Sequence, residues 1–234
     1  MRARLLLPTA AAAIAAGCGG APPASGYFPL DEGRAWTYDV KTEHENNTVA
    51  HETLVLRTLG RDAIDDGPAW RRRSDAGVDY WLRADDTGIY RVATKSDLDA
   101  EPKPDAVRRY VLKAPFAPGT SWQSTTTAYL LARRTEFPRE IRHTHPSVPM
   151  TYTIEAVGEA VETRAGRFER CVRVKGQAVL RLFADPVVGW RDMPLVTTEW
   201  YCDGVGLVKL VREEPAQSTF LAGGTMTLEL TSWQ

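Results

Sequence analysis

The chain is short of the residues that usually carry chemistry. Its 234 residues include three Cys and four His. There is no Gly-x-Ser-x-Gly elbow, which excludes the nucleophile turn of an α/β-hydrolase. There is no Cys-x-x-Cys, so a dithiol redox centre is excluded as well. Gly204-Val205-Gly206 is followed by neither a helical pattern nor Lys-Ser/Thr, so it is not a phosphate loop. Charge of one sign is missing too: 29 basic side chains stand against 30 acidic ones, which argues against a nucleic-acid partner. Amphipathic helix patterns are absent, and the best stretch, Tyr129–Arg142, is cut by Pro138. After residue 18 no apolar run is long enough to span a bilayer.

What the chain does have begins at its start. Met1-Arg2-Ala3-Arg4 is basic, and Leu5 to Ala16 is uncharged and mostly apolar. That order and length mark a secretory signal, too short to span a membrane. It ends in Ala15-Ala16-Gly17-Cys18, which resembles the lipobox of bacterial lipoproteins over Ile14 to Cys18, with Ala15 where Leu is usual. The resemblance implies cleavage before Cys18 and acylation of its thiol and amine. Two or more chains anchor stably, at about 0.8 kcal/mol per buried CH₂. Gly19, in place of Asp, implies the outer membrane by the same resemblance. Residues 1–17 are then the signal peptide, and 18–26 (Cys-Gly-Gly-Ala-Pro-Pro-Ala-Ser-Gly) form a flexible tether. Loss of Arg2 and Arg4 leaves a mature charge of −3. With Cys18 acylated, Cys171 and Cys202 remain as an even pair in an exported chain, which points to a disulfide rather than two buried thiols.

Residues 27–234 alternate with period two in many places, so one face of each strand is buried and the other is wet. Trp36, Tyr38 and Val40 oppose Thr37, Asp39 and Lys41, and Met226, Leu228 and Leu230 oppose Thr227, Glu229 and Thr231. Turn residues recur at strand spacing, as in Asn46-Asn47, Asp75-Ala76-Gly77, Ala165-Gly166 and Asp203-Gly204. The expected fold is all-β: one antiparallel meander forming a curved sheet, half-barrel or sandwich, with little or no helix after the signal. Three stretches read as irregular: Lys95–Asp105 (a sub-boundary), Phe137–Pro149 and Asp185–Pro194. Gly33-Arg-Ala-Trp36, Gly67-Pro-Ala-Trp70 and Gly119-Thr-Ser-Trp122 share a device. A turn at Gly is followed by a strand whose first inward residue is a large ring.

Tyr27-Phe28-Pro29-Leu30 with Gly33, Trp36 and Tyr38 resembles the mature opening of many uncharacterised bacterial lipoproteins. Ala165-Gly166-Arg167-Phe168 and Trp200-Tyr201-Cys202-Asp203-Gly204-Val205-Gly206-Leu207-Val208-Lys209 resemble later elements of the same family, which often has Ala-Pro at Cys202-Asp203. The resemblance implies a compact antiparallel β domain, like the curved sheets of periplasmic lipoprotein carriers, and no activity.

Candidate sites are few. His143-Thr144-His145 is the sharpest metal-like feature, since His at i and i+2 share a face on a strand, but no third ligand is evident. The aromatics, with Trp81, Trp190 and Trp200 foremost, either line a groove for an apolar ligand or pack the core. The favoured expectation is a non-enzymatic lipoprotein without cofactor, held to the outer membrane through Cys18 and facing the periplasm. It would bind an apolar ligand or another envelope protein. The alternative is an envelope hydrolase with a metal held by the His143–His145 loop.

Overall fold

A computed structural model describes residues 26–64, 67–134, 141, 144–185 and 187–234. Among the described residues fourteen strands follow in chain order. The first seven are β1 (Ala35–His44), β2 (Val49–Ile64), β3 (Gly67–Ser74), β4 (Asp79–Asp85), β5 (Gly88–Lys95), β6 (Lys103–Lys113) and β7 (Ser121–Thr126). After them come β8 (Ala132–Arg133), β9 (Val148–Thr163), β10 (Gly166–Asp185), β11 (Gly189–Cys202), β12 (Gly206–Glu214), β13 (Leu221–Ala222) and β14 (Gly224–Trp233). No described residue is in an α-helix.

Twelve strands form one antiparallel sheet in the order β6-β5-β4-β3-β2-β1-β14-β12-β11-β10-β9-β7, and β13 pairs with β8 separately. The meander expected from the alternation is therefore present, and it curls into a nearly closed barrel. Bulges supply the curvature, for example between Thr58 and Gly60 on β2 and between Thr37 and Tyr38 on β1. The outermost strands, β6 and β7, meet without a ladder, and the Arg109 guanidinium donates across this seam to the Thr125 carbonyl.

The three Gly-x-x-Trp units behave alike. Gly33, Gly67 and Gly119 have φ of 83°, 142° and 89°, a region that favours glycine. Trp36 and Trp122 are buried, and Trp70 is half-buried under the Arg61 guanidinium. The opening segment folds inward ahead of β1: Tyr27, Phe28 and Leu30 are buried against Leu82, Leu112 and Tyr201. Gly26 is tied to the β11–β12 turn, where the Gly204 amide donates to its carbonyl at 2.7 Å. Cys18, the expected lipid-anchor position, lies outside the described residues.

The irregular stretches were expected too broadly: Phe137–Pro149 ends in strand, since β9 begins at Val148, and its residues 137–140, 142 and 143 lie outside the described residues. Residues 96–102 connect neighbouring strands, but β6 already begins at Lys103. Asp185–Pro194 is mostly strand: β10 and β11 form a long hairpin whose pairing runs from Cys171↔Cys202 to Asp185↔Gly189. Pro194 is accepted within β11 because the neighbouring β12 stops at Val196↔Glu213, so no partner needs the amide that proline lacks.

Cys171 and Cys202 face each other across β10 and β11 and form a disulfide, as the cysteine count implied. A second tie is polar. Glu214 is fully buried and accepts from the amides of Tyr129, Leu130 and Leu131 at 3.0, 2.8 and 3.0 Å. Arg212 donates to the same carboxylate, to Thr126 Oγ1 at 3.1 Å and to the Thr127 carbonyl at 2.6 Å. This network fixes the chain after β7 over the core beneath β9, β10 and β11.

Candidate functional site

The barrel interior is not filled. A cavity of about 280 Å³ lies inside it, walled by side chains from ten strands and by Phe28 of the opening segment. Small-molecule sites run from about 300 to 1,000 Å³, so the space falls just below that range and suits only a small ligand. Alternation builds it: Tyr38 of β1, Leu56 of β2, Leu82 of β4 and Leu207 of β12 turn inward from their strands. The seam contributes Arg109, Tyr110 and Val111 from β6 and Ser124 from β7, so the wall includes the one place where the ladder is open.

Five tyrosines line the cavity. Tyr38 donates to the Leu207 carbonyl at 3.0 Å, Tyr201 donates to Glu199, and Tyr110 shares a bond of 2.9 Å with Thr87. The hydroxyls of Tyr80 and Tyr152 make no hydrogen bond to a described residue. Burial pushes the Tyr38, Tyr80, Tyr152 and Tyr201 hydroxyls up, so all four stay protonated at neutral pH.

The charges are uneven. Arg72 is 6% exposed, and no described carboxylate pairs with it. Its guanidinium lies between the rings of Phe28 and Trp36, 4.3 and 4.2 Å from their centres, and donates to the Pro29 carbonyl at 2.6 Å. Burial pushes its pKa down to about 10, which still leaves it charged at neutral pH. Arg91 is neutralised by two bonds to Asp105, of 2.7 and 2.6 Å. Arg109 has the Thr125 carbonyl and, among the described residues, no carboxylate in an ion pair; burial, then the charge of Arg91, lower its pKa, and nearby Asp105 partly offsets them. Glu199 is the acid in the wall. It is 8% exposed, and burial raises its pKa.

The tryptophans singled out in the sequence are elsewhere, and the fold does not bring them together. Trp81 is buried on the opposite face of β4 from Tyr80 and Leu82, packed on Ala69 and Ala93, with its indole N–H donating to Asp62 at 3.2 Å. Trp190 is 61% exposed on the β10–β11 hairpin, edge-on to Phe183 at 5.9 Å. Trp200 is half-buried beside the disulfide cluster. None of the three lines the cavity. His145 is half-buried, with Nδ1 2.9 Å from Thr144 Oγ1, and His143 lies outside the described residues. Among the described residues no three His, Cys, Asp or Glu side chains are placed to hold a metal ion.

No family model matches the chain, and no curated protein matches it. Two solved structures are similar to it. A protein named "putative lipoprotein" from Parabacteroides distasonis shares 13% identity over 89% of this chain and 98% of its own, with a TM-score of 0.43. A "putative exported protein with YmcC-like fold" from Bacteroides fragilis shares 14% identity over 88% of this chain and 98% of its own, with a TM-score of 0.39.

Proposed function

We propose that this chain is a lipid-anchored, exported binding module that acts by holding a small, largely apolar ligand inside its barrel rather than by turnover. The observation that carries the reading is the cavity of about 280 Å³, walled by leucines and tyrosines from ten strands of one sheet. Protein interiors ordinarily pack to the density of an organic crystal, and a barrel of more than about eight strands encloses space that side chains do not fill, so this one has room for a ligand. The Cys171–Cys202 disulfide supports an oxidising compartment, and Ala15-Ala16-Gly17-Cys18 supports acylation at Cys18, with the outer membrane as the site of anchoring.

The test is binding of a neutral apolar dye, 1-N-phenylnaphthylamine, whose fluorescence rises out of water. The expected result is saturable binding that Leu82→Trp, which fills the cavity, abolishes while Trp190→Ala, on the exterior, leaves it intact. Saturable binding that survives Leu82→Trp in a folded protein refutes the site. Cys18→Ala tests the anchor: the variant should leave the membrane fraction, and continued resistance to salt extraction would refute acylation there.

A further inference from the structure

The wall of the cavity carries more positive than negative charge, and this deepens the reading of the barrel as a ligand site, on which it rests. Arg72, Arg91 and Arg109 face it, and among the described residues only Arg91 forms an ion pair with a carboxylate, Asp105. Glu199, the one acid in the wall, already accepts from the Tyr201 hydroxyl. The rings of Phe28 and Trp36 offset part of the cost of burying Arg72, but they supply no countercharge. Its Nη1 makes no hydrogen bond to a described residue. The hydroxyls of Tyr80 and Tyr152 are further donors without an acceptor among the described residues. An excess of cations and donors beside leucines is the complement of an amphiphile with an anionic, acceptor-rich head.

We propose that the ligand is a monoanionic amphiphile, its carboxylate or equivalent head held by Arg109 with Tyr80 and Tyr152 donating, and its apolar body against Leu56, Leu82 and Leu207. Arg109 is the group a head meets at the seam, since it lies on the edge strand β6 and its own bond crosses to β7. The buried Arg72 is the deeper cation and also holds the opening segment, through the Pro29 carbonyl.

The experiment competes bound 1-N-phenylnaphthylamine with decanoate, decanol and decylamine, three chains of one length with anionic, neutral and cationic heads. Decanoate should displace the dye at a concentration roughly ten-fold or more below decanol, the scale of a charge-assisted hydrogen bond, with decylamine weakest. Arg109→Gln should bring decanoate to the level of decanol. Because Arg72→Met disturbs the opening segment, Arg109→Gln is the deciding variant, and its far-UV circular dichroism should match that of the parent. If decanol competes as well as decanoate, or Arg109→Gln leaves the preference intact, the anionic head is refuted and the apolar site stands. If the dye does not bind at all, the ligand site itself falls, and this inference with it.

Discussion

Replacing Glu214 tests how the barrel is held shut beside its cavity. The carboxylate is fully buried and accepts four bonds, three from the consecutive amides of Tyr129, Leu130 and Leu131 and one from Arg212. The Arg212 side chain is only 5% exposed, so it cannot recover hydration when its partner goes. Glu214→Gln keeps one acceptor oxygen but turns an amide NH₂ toward two of the donors. Breaking a buried pair from one side costs about 3–5 kcal/mol, and each orphaned buried amide about 1–3. For the Gln variant, which retains half the acceptors, the expected loss is about 3 kcal/mol. For a chain of this size that lowers Tm by roughly 6–12 °C. Glu214→Ala should lose more. Urea unfolding followed by circular dichroism, with the disulfide intact, gives the shift in midpoint. A cycle with Arg212→Met should show coupling of about 2 kcal/mol or more, since the two side chains share one network. A Glu214→Gln loss below about 1 kcal/mol at unchanged m, or additive single variants, would refute the clamp.

Two further perturbations follow from the same structure. Cys171 and Cys202 are 31 residues apart, so the Cys171→Ser/Cys202→Ser variant should lose about 3–4 kcal/mol in the chain-entropy account, and an unchanged urea midpoint would contradict it. Burial raises the Glu199 carboxyl pKa above its ordinary value of 4.5, so on raising pH the unfolded chain releases that proton before the folded one does. Stability from this group is therefore greatest below pH 4.5, falls as pH rises toward the raised folded value, and is flat beyond it. Glu199 faces Tyr201 on its own strand, Arg212 on β12 and Tyr152 on β9, and Glu199→Gln removes the titration while leaving these in place. The gap in Tm between Glu199→Gln and the parent should shift in favour of the variant between pH 5 and pH 8, and parallel curves would rule this out.

Much of the fold was legible because period-two alternation carries it. Trp36 and Tyr38 on β1, and Leu228 and Leu230 on β14, are buried where the pattern puts them. One stretch was misread: Asp185–Pro194 read as irregular, whereas the β10–β11 hairpin extends beyond the reach of β9 and β12, where Pro194 costs no ladder bond. Alternation also shows which residues share a face without showing which face is inside. On β4 it separates Trp81 from Tyr80 and Leu82, and the larger ring drew the functional reading, yet the other set lines the cavity. Arg72 was hidden in the run Arg71-Arg72-Arg73. Its parity with Trp70, a residue expected to face inward, was the available signal. Arg71 and Arg73 turn the other way and pair with Asp79.

The open seam ties these observations together. An unpaired pair of edge strands exposes amides and carbonyls that a closed barrel would satisfy, and proteins ordinarily cover or pair such edges. Here β6 and β7 approach closely enough for Arg109 to bond Thr125 across the gap, yet they form no ladder. The seam residues Arg109, Tyr110, Val111 and Ser124 are also cavity residues. The opening segment is pinned by Arg72, and the chain after β7 is locked by Glu214, so each is held by a buried charged group. The β6–β7 contact is held by a single guanidinium that has no carboxylate partner among the described residues. Opening that contact breaks one side-chain bond and no backbone ladder. It is thus a low-cost way into a barrel whose other neighbouring strands are joined by ladders, and it passes Arg109.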